Sequence, residues 1–116
     1  MGRGILLSKR EFSTGASRDT DIGKLDFEGF FSPIVMVEFA KYMNKNRTMK
    51  DGSTRDSDNW QKGIPKDAYM KSMHRHFMDL WLEHRGYPSR SGKIEALCAI
   101  IFNAQGYLLE ELKPQP

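Results

Sequence analysis

The stretch PKDAYMKSMHRHFMDLWLEH, residues 65–84, decides how the rest of the chain is read. Its Met70, Met73, Phe77, Leu80, Trp81 and His84 recur at intervals of three and four. At about 100° per residue these six fall within about 120° of arc, and Ser72, Arg75, His76, Asp79 and Glu83 take the other side, which predicts an amphipathic helix. Gly86 and Pro88 follow it. A glycine accepts the left-handed backbone that closes a helix, and a proline behind it cannot continue the ladder of hydrogen bonds.

Outward from that segment, residues 92–112 predict a further helix with a main stripe of Ile94, Leu97, Cys98, Ile101, Gln105, Leu108 and Leu112. Ile100 and Tyr107 lie opposite, so the middle of this helix is apolar nearly all round and calls for burial on two faces. One small protomer has too few elements to cover both, which predicts a homo-oligomer, a dimer or a tetramer. Upstream, Ser32-Pro33 supplies a favoured cap and first-turn residue for a helix over 33–44 carrying Ile34, Val35, Val37, Phe39, Tyr42 and Met43. The fold expected is all-α, a small helical bundle occupying 25–116 behind an N-terminal arm of 1–24 rich in Gly, Ser and Thr. Residues 44–66 form a polar connection, longer than most and therefore of functional interest.

The chain has 116 residues, a net charge of +3 and one cysteine, Cys98. That length suits one compact core. A lone thiol makes no internal disulfide and no zinc-ligand spacing is present, which points to a reducing cell interior, the cytoplasm. The longest uncharged stretch, 96–109, is shorter than the roughly 20 residues that span a bilayer, so no membrane partner is expected. Lys and Arg alternate with Asp and Glu over 41–67, an arrangement that argues against a nucleic-acid surface.

Three groups of residues could carry chemistry. His76, Asp79 and Glu83 stand at i, i+3 and i+7, within about 60° of arc, where two carboxylates could hold a divalent cation such as Mg²⁺; the alternative is a solvated charged face with Arg75 and His76 paired to Asp79. Glu95, Ala99, Asn103, Gly106 and Glu110 form a second stripe on the last helix. It reads either as a shallow polar groove for a metal or ligand, or as close helix packing with Glu95 answering the macrodipole. Asn103, surrounded by apolar neighbours, requires a specific hydrogen bond. The long connection offers Arg47, Lys50, Arg55, Asn59, Trp60 and Lys62, amides and cations able to contact phosphates around a Trp60 that either stacks on a base or anchors the loop on the core. His74 reads as a core or interface histidine and Cys98 as a small buried hydrophobe.

In order along the chain, Gly15-Ala16-Ser17-Arg18-Asp19, Gly23-Lys24, Ser32-Pro33, Asp58-Asn59-Trp60-Gln61-Lys62-Gly63-Ile64-Pro65, Ser72-Met73-His74-Arg75-His76 and Glu95-Ala96-Leu97-Cys98-Ala99 with Phe102-Asn103 resemble the bacteriophage-type dATP/dGTP diphosphohydrolase domain. The resemblance covers about residues 15–112. It implies an all-α, MazG-like oligomer that uses Mg²⁺ to split a deoxynucleoside triphosphate into monophosphate and pyrophosphate in the host cytoplasm. Under it, Asp79, Glu83 and Glu95 are the metal and catalytic candidates together with His76. Lys62, Arg75 and Arg18 are placed to meet phosphates, Asn59 and Trp60 lie near the base, and Asn103 belongs to the binding set. The wider superfamily holds its metal on paired acids, whereas this chain has Cys98 three residues after Glu95. The alternative is a catalytically degenerate accessory protein that binds a nucleotide or a host factor.

Overall fold

The computed structural model describes residues 9–114, which form two compact units that part between Ser32 and Pro33. In the first, β1 (Arg10–Glu11) pairs antiparallel with β2 (Ser17–Arg18), Arg10 opposite Arg18. The turn between them closes through Phe12 N–H to the Ala16 carbonyl at 2.9 Å and Gly15 N–H to the Phe12 carbonyl at 2.9 Å. Gly15 sits at φ +93°, a conformation costly for any residue with a Cβ. Arg10 pairs with Asp21 at 3.0 Å. A single helical turn, α1 (Phe27–Phe30), follows, capped by Asp26, which accepts the Gly29 N–H at 3.0 Å. The sequence reading gave 1–24 no regular structure. Two-residue strands carry too few positions for an alternation to register. Residues 1–8 of that arm lie outside the described residues.

The second unit contains α2 (Pro33–Lys45), a 3-10 helix (Asn59–Lys62), α3 (Lys66–His84) and α4 (Gly92–Leu112). The three predicted long helices are therefore present, each boundary within one residue of expectation. α3 and α4 run antiparallel, with Lys66 meeting Glu111 at 3.0 Å and Tyr69 packed at Gly106. Gly86, at φ +87°, turns the chain out of α3. Glu83 then accepts the Ser89 N–H at 2.8 Å, and the Ser89 hydroxyl accepts the Gly92 N–H at 2.9 Å, so the corner is fastened at both ends.

Which faces meet is the surprise. α3 buries Tyr69 and Asp79, residues off its apolar stripe, while Phe77 is 52% exposed and Trp81 46% exposed. The stripe of α3 faces outward because the small residues of α4 attract its other side. Ala96, Ala99, Asn103 and Gly106 are all buried, and an ideal Cβ on Gly106 would lie 2.2 Å from Tyr69 Cζ. Of the two readings of the second stripe on α4, the structure bears out close helix packing: the seam is occupied by the Tyr69 ring at Gly106. Tyr69 also meets Phe102 edge-on, with ring centroids 5.9 Å apart, and Phe102 meets Trp60 in the same way at 5.7 Å. α2 lies along α4 through the Lys45 ammonium on Glu95 and the contact of Cys98 Sγ with the Glu38 carbonyl at 4.0 Å. Burial raises the Cys98 thiol above its usual pKa, consistent with the expected inert hydrophobe. No helix among the described residues is long and apolar enough to cross a membrane.

Candidate functional site

Two polar features stand out in the helical unit. The first is a charged cluster where α3 meets α4. Asp79 is nearly fully buried, and Arg90 donates to it from Nε at 3.1 Å to each oxygen and from Nη2 at 2.6 Å to Oδ2. This doubly bonded guanidinium holds the Asp79 carboxyl below its usual pKa. Arg90 Nη2 also reaches the Arg75 carbonyl at 3.4 Å, so it staples the corner between the helices to the body of α3. The alternative to a metal site paired Asp79 with Arg75 and His76, and His76 does stand beside it. The cation that takes it is Arg90, which was missed because it lies 11 residues away across a turn, beyond any helical spacing.

His76 Nδ1 lies 3.8 Å from Asp79 Oδ2, too far for a hydrogen bond, and that buried nitrogen has no hydrogen-bond partner among the described residues. Glu95 is bound by Lys45 of α2 through both carboxylate oxygens, one of them at 2.8 Å. Glu83 serves the corner through Ser89. Of the four residues predicted as catalytic or metal-binding, His76 and Asp79 are adjacent, Glu95 lies within electrostatic reach of His76, and Glu83 is bound to the Ser89 N–H. Each carboxylate already has a donor from the protein. Among the described residues no group of three or more His, Cys, Asp or Glu is arranged to hold a metal ion. As folded, the three acids are not a common donor set for Mg²⁺.

Burial and the positive charge of Arg90 push His76 below its usual 6.5, against the pull of Asp79. A histidine held neutral in the fold is protonated first in the unfolded chain, so its contribution is complete above that value and declines as pH falls below it. Asp79 acts in the same direction at lower pH: its stabilisation is present above the ordinary carboxylate value of 3.8 and is lost as pH falls through the depressed one. The melting temperature is therefore expected to fall between about pH 7 and about pH 5, and His76→Gln to flatten that limb. Thermal melts across this range check it; a wild-type melting temperature that does not change there is the contrary result.

The second feature is a cavity of about 540 Å³ between α2, the 3-10 helix and α4. Met36, Phe39 and Met43 of α2, Trp60 and Ile64 around the 3-10 helix, and Phe102 of α4 give it an apolar floor. Its polar rim comes from the connection 46–59 and the end of α2, chiefly Asn44, Asn46, Arg47, Arg55, Asp56 and Asn59. The rim is ordered by its own backbone. Arg47 donates from Nε to the Arg55 carbonyl at 2.8 Å and from Nη1 to Asn44 Oδ1 at 3.4 Å, while Arg55 Nη2 donates to the Asn46 carbonyl. An isolated bridge between Thr48 and Thr54 closes the loop beyond them.

Asn59 and Trp60, predicted from the sequence, both line this cavity. Trp60 is at once anchor and wall: its edge-on contact with Phe102 holds the loop on α4. The other predicted binding residues do not join it. Lys62 ends the 3-10 helix outside the lining, Arg75 is exposed on α3, and Asn103 is buried with its side-chain amide donating to the Ala99 carbonyl at 2.7 Å. That bond meets the requirement expected of a buried mid-helix amide. Arg18 belongs to the other unit. Arg47 and Arg55, named among the cations of the connection, both line the cavity. Comparison with family models, with curated proteins and with solved structures finds no match for the chain.

Proposed function

We propose that the chain binds a nucleotide, in the first instance a deoxynucleoside triphosphate, in the cavity between α2 and α4. One observation carries this reading. Two guanidinium groups, Arg47 and Arg55, stand at the rim of an apolar, aromatic-walled cavity, and among the described residues neither forms an ion pair with a carboxylate. Their recorded partners are neutral oxygens, so their positive charge is available to a phosphate, which a planar guanidinium meets with two parallel bonds. A flat base suits the Phe39 and Trp60 end, and the volume lies within the ordinary range of small-ligand sites. The resemblance described above supports the same ligand class and a host-cytoplasmic setting.

Thermal shift and calorimetry with each deoxynucleotide, with and without Mg²⁺, test the proposal. Ligand at about 100 times its dissociation constant stabilises the native state by about 2.7 kcal/mol. Arg55→Ala or Arg47→Ala is expected to weaken binding at least tenfold, and Arg75→Ala to leave it unchanged. Absence of stabilisation by any nucleotide, or sensitivity to Arg75 alone, overturns it.

Mg²⁺-dependent pyrophosphohydrolysis is the second reading, favoured by the adjacency of His76 and Asp79, with Glu95 close enough to raise the pKa of His76. It requires those acids to exchange Arg90 and Lys45 for substrate-bound metal. Monophosphate release that disappears in Asp79→Ala would support it.

A further inference from the structure

The alternation of charge over 41–67 does not extend to the outer face of α3, where the engagement of its acids leaves positive charge in excess. Asp79 is closed off by Arg90, and Glu83 is bound to the Ser89 N–H. Asp67 stands in the first turn, where a carboxylate answers the helix dipole. Lys71, Arg75 and Arg85 are exposed, and among the described residues none of them forms an ion pair. Beside them Met70, Phe77, Met78 and Trp81 are between 41% and 52% exposed.

We propose that this face binds single-stranded DNA. At about 100° per residue Phe77 and Trp81 fall in one row with Met70, and Arg85, Lys71 and Arg75 fall in a second row, within about 80° of arc, to one side of the first. A strand laid along the helix can stack bases on the first row while its phosphates meet the second, the combination of aromatic platform and cation track that holds unpaired strands. The two rings are neighbours, with centroids 6.4 Å apart, and the Arg85 guanidinium lies over the Trp81 ring at 5.8 Å, so cation and ring are already held together. Lys71 to Arg85 covers about 21 Å of helix axis, the length of about six nucleotides at about 3.4 Å each. The exposed residues from Met70 to Arg85 include no Ser, Thr, Asn, Gln, Asp or Glu. The face therefore offers a ribose 2′-hydroxyl no hydroxyl, carboxamide or carboxylate partner, which favours DNA over RNA and makes binding tolerant of sequence. A membrane-surface helix separates its cations from its apolar side chains on opposite faces, whereas here the two share one face. The site is distinct from the cavity, which α3 does not line.

Fluorescence anisotropy of a labelled oligothymidylate with the full chain is expected to show binding that weakens about 20-fold between about 50 and about 200 mM salt, the response of three phosphate contacts. Trp81→Ala is expected to weaken binding at least about fivefold at constant salt, the loss of one stacked base, and Trp81→Phe, which keeps a flat ring, to retain most of it. Arg75→Ala is expected to weaken binding and to lower the salt dependence by about one third. Both side chains are exposed, so the variants leave the core intact. Because Arg75→Ala is expected to leave mononucleotide binding in the cavity unchanged, a loss confined to the oligothymidylate separates this site from that one. No binding at low salt, equal binding by Trp81→Ala, or tighter binding of oligouridylate overturns the proposal. So does tighter binding to vesicles of phosphatidylserine and phosphatidylcholine at the same concentration of negative charge.

Discussion

Replacing Gly106 with alanine is expected to destabilise the chain by about 1–3 kcal/mol, the usual cost of forcing extra volume into a close-packed seam. The sign is the informative part. In an ordinary helix interior the same change stabilises by up to about 1 kcal/mol, because alanine loses less backbone entropy than glycine on folding. Here the added Cβ would lie 2.2 Å from Tyr69 Cζ and 2.3 Å from Cε1, and Tyr69 is only 1% exposed, so its ring has nowhere to retreat. Urea denaturation of Gly106→Ala measures the loss. The cycle with Tyr69→Ala identifies the cause, since the two substitutions act on one contact and their costs are expected to fall short of additivity. A variant as stable as the parent would show that the seam between α3 and α4 is loose.

Arg90→Ala is expected to produce the largest loss of melting temperature of any ion-pair substitution in the molecule. It leaves the Asp79 carboxylate buried with only His76 at 3.8 Å to answer it, and a buried charge deprived of its partner costs far more than an exposed one. The exposed pair Lys66–Glu111 is the internal standard: its removal falls within about 0–1 kcal/mol. The Arg90 variant also raises the pKa of Asp79 toward its ordinary value, so its acid unfolding is expected to begin at higher pH than that of the parent. Asp79→Asn in the Arg90→Ala background removes the buried charge and restores part of the loss. Melts of the four proteins across the acid range provide the check, and equal losses for Arg90→Ala and Lys66→Ala would contradict the account.

The sequence made the three long helices legible because each carries a local signal: Ser32-Pro33 at the start of α2, Gly86 and Pro88 beyond α3, and an apolar run over the middle of α4. It did not reveal which side of α3 turns inward. Periodicity locates an apolar stripe without saying what covers it, and here the stripe is left outward while Tyr69 and Asp79 are buried, Tyr69 against Gly106 of α4. The candidate site was legible where it depended on Asn59 and Trp60, residue types unusual in a polar loop. Arg47 and Arg55 were named beside them as cations of the connection, but Arg90 was not, because its role arises from a contact 11 residues away that exists only after the corner has closed.

The fastened corner between α3 and α4 also bears on how the chain assembles. Contacts that fix the antiparallel pair are short in sequence at the corner, from Glu83 to Ser89 and from Asp79 to Arg90, so the entropy spent closing that loop is small. The docking of α2 depends on Lys45 meeting Glu95 across 50 residues and on Cys98 meeting Glu38 across 60. The hairpin is therefore the local part of the fold and the docking of α2 its non-local part. Because α2 also walls the cavity, the element held by the contacts most distant in sequence is the one that completes the pocket.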